Sequence, residues 1–385
     1  MTKQSDVAII GAGIHAFGRH DGVSGLDLAE VAVRAALADA DRQWSDIDYA
    51  VGGSNVSGKP DTLVGRLGLT GLPFVTVRNG CATGGVALMT AAQALRAGDA
   101  ELALVVGFDN HQRGAFASSP GGYGIGEWYG ESGMMVTTQY FAMKARRYLH
   151  EHQISERSLA RVSAKAFRNG AANPHAWRRK PLAEEEILAA PLVSPPLTQY
   201  MFCNPNAGAV ALVLARGARA ADLCEKPVTL ASIALRSRRF GSFEVFSPWL
   251  TPNSRSSPSI DAAAAAFKLA GLAPADVQVA QLQDTDSGAE IIHLAETGLC
   301  ADGEQEQLLA SGATEADGRL PVNTDGGCLA NGEPIGASGL RQVHEVVRQL
   351  QGRAPGHQVP GAPRVGFTHV YGAPGISACT VLTVP

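Results

Sequence analysis

Long apolar runs, a charge excess and paired cysteines are all scarce in this 385-residue chain, and each scarcity removes a class of function. No apolar stretch approaches the roughly 20 residues that a membrane-spanning helix needs. No basic-then-apolar leader precedes the first strand-like run, Val7-Ala8-Ile9-Ile10, so a cytoplasmic protein without membrane insertion is expected. The net charge is only −4, which leaves no electrostatic footprint for nucleic acid. Six cysteines (81, 203, 224, 300, 328 and 379) form no C-x-x-C pair, which argues against a zinc site or a disulfide framework and for a reducing compartment. The one dense basic run, Arg178-Arg179-Lys180 after Trp177, reads as solvated surface or as a contact for phosphate groups.

What is present is a chain that is 45% hydrophobic, with 44 glycines, suited to a large layered α/β unit with many tight turns. Gly11-Ala12-Gly13-Ile14-His15 lacks the third glycine and the acidic partner of a dinucleotide fingerprint, so a turn is expected there. Leu26 to Ala40 reads as an Ala-rich helix, Ile47–Val51 and Pro73–Val77 as strands, and Glu101–Gly107 as a buried strand. The second half repeats this order. A helix is expected over Ile260–Ala270, a strand over Val279–Leu282, a glycine-rich run at Asn331–Gly339 opening a helix from Leu340 to Leu350, and a strand over Arg364–Val370. The repetition implies a duplicated α/β unit, residues 1–218 and 219–385, with mixed or mostly parallel sheets covered by helices. An insertion over about residues 110–201 carries Tyr123, Trp128, Tyr129, Met134, Met135 and Met143. It is readable either as a satellite core or as the wall of an apolar acyl pocket.

The sharpest chemical signal is Val77-Arg78-Asn79-Gly80-Cys81-Ala82-Thr83-Gly84-Gly85, where a strand turns into a helix of small apolar residues. A cysteine at a helix N-terminus faces backbone N–H groups and the positive end of the dipole, a setting that lowers a thiol pKa and makes a nucleophile. The bland alternative is a small buried hydrophobe.

These residues resemble the thiolase superfamily, closest to the sterol-carrier-protein-type thiolases and the bacterial lipid-transfer-protein thiolase-like enzymes. The resemblance spans the chain and rests on Asn79-Gly80-Cys81-Ala82-Thr83-Gly84, Ala97-Gly98-Asp99-Ala100, Asn173-Pro174, Asn204-Pro205-Asn206-Ala207-Gly208-Ala209 and Gly332-Glu333-Pro334-Ile335-Gly336. It implies a thiolase fold, with two α/β halves in a five-layer α/β/α/β/α arrangement and an inserted loop domain. It also implies a homodimer or dimer of dimers, and chemistry on a coenzyme A thioester whose pantetheine enters over the loop domain. A small zinc-ribbon/OB-fold partner protein is implied as well. No metal or redox cofactor is implied, coenzyme A being a substrate.

The departures from the family pattern are chemical. The family's Gly-His-Pro-x-Gly motif here carries Glu333 in place of histidine. The His-Asp-Cys-Phe motif reads Gln283-Asp284-Thr285-Asp286, losing both histidine and cysteine, and a threonine hydroxyl is far too weak a base to stand in. The C-terminal Cys-x-Gly is replaced around His369-Val370-Tyr371-Gly372-Ala373-Pro374-Gly375, and Cys379 reads as core. The expected catalytic set is therefore Cys81, Glu333, Asp286, His369 and Tyr371, with backbone N–H groups of Cys81 and near Gly375 as an oxyanion hole. Asn206, Gly332, Gly336, Gly372, Gly375 and Met135 are the expected substrate contacts. His111 is a pocket candidate, while His293 and His344 read as surface or packing residues. Three functions fit: thiolytic Claisen cleavage of a bulky 3-oxoacyl-CoA through acyl-Cys81; retro-aldol cleavage of a β-hydroxyacyl-CoA by Tyr371, Glu333 and Asp286; and non-catalytic binding of acyl-CoA.

Overall fold

The computed structural model describes residues 7–249 and 257–385. The described residues form eleven strands: β1 Val7–Gly18, β2 Tyr49–Gly53, β3 Phe74–Val77, β4 Leu102–Asn110, β5 Leu192–Ser194, β6 Leu197–Thr198, β7 Ala207–Arg216, β8 Val228–Ser237, β9 Val279–Leu282, β10 Val365–Gly372 and β11 Ile376–Thr383. Nine of them make one sheet in the order β3-β2-β4-β7-β1-β8-β11-β10-β9. It is mixed: β2 runs parallel to β3 and β4, and β9 to β10, while every ladder between β4 and β10 is antiparallel. The first three residues of β1 pair with both β7 and β8, which joins the two half-sheets at a narrow seam.

Helix Gly25–Asp39 covers the outer face of β1, β4 and β7, and helix Pro258–Ala270 covers β8 and β11. Between the half-sheets lie helices Thr83–Ala97 and Ile335–Gln351, packed on each other. The five layers expected from the resemblance are therefore present. Their core has three parts. Leu88, Leu95, Val343 and Val347 fill the centre, Leu28 and Val33 meet Leu104 and Val213 on one outside, and Phe267 stacks on Phe367 on the other. Cys379 belongs to that last cluster, as the sequence suggests.

Two local expectations fail for reasons of packing. Gly11 and Gly13 do not turn the chain: β1 continues to Gly18, with a register shift between Ile9 and Gly11. A Cβ at Gly13 would lie 2.3 Å from Ala32 O, so these glycines let a helix press on a strand. The second central helix begins at Ile335, not Leu340. Its Gly336 lies against β4, where a Cβ would meet Phe108 O at 2.6 Å.

The insertion is mainly helical. Helices Thr137–Glu151 and Arg157–Ala172 pack on helix Ser287–Glu296. A fully buried ion pair, Lys165 Nζ to Glu290 Oε1 at 2.6 Å, ties them, with Asn323 Nδ2 donating to the other carboxylate oxygen at 2.7 Å. Much of its apolar content is satellite core: Tyr129, Met135 and Tyr140 are buried with Val245, Phe246 and Tyr371. Among the described residues, no helix is long and apolar enough to cross a membrane.

Candidate active site

Cys81 sits two residues ahead of helix Thr83–Ala97, on a turn that the local sequence dictates. Gly80 has φ +57°, and a Cβ there would lie 2.9 Å from Ala373 O. Thr83 Oγ1 donates to Gly80 O at 2.6 Å and accepts from Asn79 N–H at 2.8 Å, which locks the turn. The thiol is half-buried and lies within the field of the Glu333 carboxyl group. Burial pushes the Cys81 thiol well up, and the negative charge of Glu333 pushes it further. The expected activation by the helix dipole is thus outweighed in the resting protein, because desolvation and a neighbouring anion both oppose a thiolate.

Glu333 is fully buried and held from three sides. Its N–H donates to Asn204 O at 2.9 Å, Gln283 Nε2 donates to Oε2 at 2.8 Å, and Ser338 Oγ donates to Oε1 at 2.8 Å. One neutral donor on each oxygen fixes the direction of the carboxyl group. The turn that carries Glu333 is built by residues expected to touch substrate. Gly332 has φ +88°, and a Cβ on it would come within 2.2 Å of Asn206 Nδ2. Asn206 donates through Nδ2 to Asn331 O at 2.7 Å, and its buried Oδ1 has no partner. Gly336 N–H donates to Asp109 Oδ2 at 2.7 Å. Burial opposes ionisation of Asp109, but His111 and the N–H groups of Val56 and Asn55 outweigh it and hold the carboxyl below its usual range. His111 is part of this support, accepting from Ile335 N–H at 3.3 Å. Asn206, Gly332 and Gly336 are therefore scaffold for Glu333, covered by protein atoms.

The other expected catalytic residues gather elsewhere. Along β10, Val370 packs with Ala82, and a Cβ on Gly372 would meet Ala82 N and Asn79 O at 2.7 Å. The alternate residues His369 and Tyr371 belong to the opposite face. His369 Nε2 bonds Ser259 Oγ at 2.8 Å, its ring lies 4.3 Å from that of His293, and burial keeps it neutral. His293 is buried and bonds Glu296 at 2.6 Å. Tyr371 donates to Glu244 Oε2 at 2.7 Å, and burial together with that carboxylate pushes its phenol well up. Asp286 caps helix Ser287–Glu296 by accepting Ala289 N–H at 3.0 Å, its second oxygen is unpartnered, and burial pushes its carboxyl up to about 7. Asp286, Tyr371, His293, Lys144 and Phe141 line one small cavity. The structure thus brings Cys81 and Glu333 together, and separately Asp286, Tyr371 and His369.

Two further expectations change. Gly375 (φ +104°) donates its own N–H to Gly372 O at 2.9 Å within the turn. Met135 is buried in the satellite core. In the basic run, Arg178 donates to Phe202 O at 3.2 Å and Leu329 O at 3.0 Å and lies over the Phe167 ring, while Arg179 and Lys180 are exposed. His344 is a packing residue, buried and kept neutral by desolvation.

Sequence reasoning missed Cys203, Gln283, Ser338 and Glu244. Cys203 stands immediately ahead of Asn204-Pro205-Asn206, a run already tied to the site, and that adjacency was the available signal. It lines a cavity of about 210 Å³ with Phe116, Phe141, Phe202, Asn204 and Thr285. A larger cavity of about 730 Å³, lined by Lys144, Arg147, Tyr148, His152, Trp249 and Glu296 among others, includes neither Cys81 nor Glu333. The smaller one also includes neither, and meets the site through Asn204, whose carbonyl accepts from Glu333 N–H. Among the described residues, no group of three or more His, Cys, Asp and Glu side chains is placed to hold a metal ion.

Comparison with known proteins places this arrangement in a family. Residues 7–180 match the thiolase N-terminal domain and residues 251–384 the thiolase C-terminal domain-like family. The chain belongs to the thiolase family. It is 31% identical to the benzoylsuccinyl-CoA thiolase subunit BbsB of Thauera aromatica, over 97% of this chain and 96% of that protein. It is 30% identical to human sterol carrier protein 2, over 97% of this chain and 71% of that protein. The solved Ltp2-ChsH2(DUF35) aldolase superposes with a TM-score of 0.88 at 27% identity, covering 98% of both chains.

Proposed function

We propose that this chain is a thiolase-type acyltransferase that cleaves a bulky 3-oxoacyl-CoA by thiolysis through an acyl-Cys81 intermediate. The observation that carries this reading is the Cys81 thiol set against a Glu333 carboxylate whose two oxygens are each held by a neutral donor. The resting thiol keeps its proton, so Glu333 accepts it as the sulfur attacks the 3-keto carbon. General-base assistance of this kind contributes about 10²–10⁴-fold. The N-terminus of helix Thr83–Ala97 stabilises the developing oxyanion. Coenzyme A then takes the acyl group. The aromatic lining of the cavity beside Cys203 supports a bulky acyl chain.

The reaction needs no cofactor beyond coenzyme A as substrate. A homodimer is part of the proposal, as is a small zinc-ribbon/OB-fold partner. The partner is supported by the DUF35 chain named with the similar aldolase.

One observation favours a second reading. Tyr371, hydrogen-bonded to Glu244, shares a cavity with the unpartnered oxygen of Asp286, and the similar solved structure is an aldolase. That pair suits retro-aldol cleavage of a β-hydroxyacyl-CoA, with Cys81 idle. Intact-protein mass spectrometry after incubation with acyl-CoAs and 3-oxoacyl-CoAs separates the two. Thiolysis requires a mass increment that vanishes in Cys81→Ala. Absence of the increment, with Cys81→Ala still cleaving a β-hydroxyacyl-CoA, establishes the aldolase instead.

A further inference from the structure

The thiolytic reading leaves one proton without an owner. When the bond between C2 and C3 breaks, the departing CoA thioester leaves as an enolate and C2 must be protonated. Glu333 is already holding the proton of Cys81, and the family's second cysteine is absent from both motifs that could carry it. We infer that Cys203 is this second thiol, supplied from a different segment of the chain.

The backbone places it. Cys203 N–H donates to Thr285 O at 2.9 Å, and the next residue, Asn204, accepts from Glu333 N–H at 2.9 Å. Residues 203 and 204 are thus bonded on one side to the segment where the motif cysteine has become threonine and on the other to the base of Cys81. The adjoining bridge between Phe202 and Asp286 continues the same pairing. Within the 210 Å³ cavity, Cys203 is the one titratable side chain among the described lining residues, the others being glycine, alanine, phenylalanine, threonine, valine, glutamine, asparagine and proline. A substrate carbon in that cavity has no other acid to turn to. Asp286 and Tyr371 line the neighbouring cavity, and Phe141 borders both. Burial pushes the Cys203 thiol well up, and Glu333 adds to it, so it rests as a proton donor. The Cys81 thiol in turn feels the charge of Cys203.

The step balances without a redox change. The Cys81 sulfur adds to C3 and its proton passes to Glu333. Collapse of the alkoxide breaks the C2–C3 bond, the electron pair goes to the enolate, and the Cys203 S–H proton is transferred to C2. The incoming coenzyme A thiol gives its proton to the Cys203 thiolate as its sulfur attacks the acyl carbon. Cys81 leaves as thiolate and recovers its proton from Glu333.

The test separates acylation from α-proton transfer, and so separates this role from the thiolytic reading on which it rests. Acylation of Cys81 is followed with an S-aryl thioester, whose leaving group needs no proton. Proton transfer is followed as solvent deuterium exchange at the α-carbon of the CoA thioester product. In Cys203→Ala and Cys203→Ser, exchange should fall by about 100-fold while acylation stays within about threefold of wild type. Adding Thr285→Cys to Cys203→Ala should restore exchange by about tenfold or more, which a structural role would not do. If Cys203→Ala does not fold, the near-isosteric Cys203→Ser is read alone. Exchange retained in Cys203→Ser, or lost instead in Asp286→Asn, overturns the assignment. Failure of wild-type Cys81 to acylate is the separate signature that the thiolytic reading itself is wrong, and it removes the role of Cys203 with it.

Discussion

The two faces of β10 put the same short motif into different chemistry. On the inner face, Val370 and Gly372 press against the Cys81 turn, and the charge of Glu333 acts on the thiol. On the outer face, Tyr371 and His369 join Glu244, His293 and Ser259, with the Lys144 ammonium 5.8 Å from the Tyr371 ring. Consecutive residues of a strand point to opposite sides. The expected catalytic residues therefore form two clusters, Cys81 with Glu333 on one side and His369 with Tyr371 on the other. The inner face has a nucleophile and a base; the outer face has a phenol, a carboxylate and the Asp286 carboxyl, pushed up to about 7. Which of them touches substrate decides between thiolysis and retro-aldol cleavage.

The strongest blow to the inner face is Glu333→Gln, which keeps shape and removes the proton acceptor. It should lower kcat/KM for thiolysis by about 10²–10⁴-fold, measured by steady-state kinetics. A loss under about threefold would shift the chemistry to the outer face.

Asp286→Asn probes the outer face through stability. The folded state holds this carboxyl at about 7 against an ordinary value of 3.8. Between those values the folded chain binds more protons than the unfolded one, so wild-type stability falls as pH rises through the window and is level above it. Asparagine can still cap the helix and cannot ionise. The variant should therefore gain on wild type from pH 4 to pH 7, by on the order of a few kcal/mol above pH 7, and show little difference below pH 4. Thermal melts at pH 4 and pH 8 check this.

Tyr371→Phe removes one donor from buried Glu244. It should cost about 1–3 kcal/mol of stability and leave thiolysis within about threefold. A 100-fold fall in kcat with unchanged KM would instead make the phenol a catalytic group. The smallest effect belongs to Ser338→Ala, which frees one oxygen of Glu333 to swing. A loss of up to about tenfold in kcat, with acylation of Cys81 still detectable, is expected.

The strands, the Ala-rich helices and the Cys81 turn were legible because each rests on a local pattern, whereas the five-layer order came from the family resemblance. The rest depended on distant contacts. Gly11 and Gly13 look like punctuation until helix Gly25–Asp39 lies on them. Helix Ile335–Gln351 looks amphipathic, with Arg341, Gln342, His344, Glu345 and Gln349 for a wet face, yet these are all buried. Arg341 pairs there with Asp325, and Thr324 Oγ1 donates to Glu345 at 2.6 Å. No periodicity tells a solvated polar face from one covered by a later segment. At the site, the sequence showed that Glu333 replaces a histidine. It did not show that Gln283, the replacement at a second catalytic motif, is the residue that holds it. The two departures form one hydrogen bond.

The seam at β1 also sets when this protein can fold. Val7 pairs with Arg216 and with Leu230, so the strand at the middle of the nine-stranded sheet is made first and completed by partners about two hundred residues later. Such distant pairing delays closure, because the chain must give up the entropy of a long loop before any ladder compensates it. On the ribosome, β1 has to remain unpaired until β7 has emerged, with an apolar edge open to wrong partners meanwhile. A substitution that leaves the finished enzyme intact but makes Val7–Ile10 stickier would then reduce yield without touching activity.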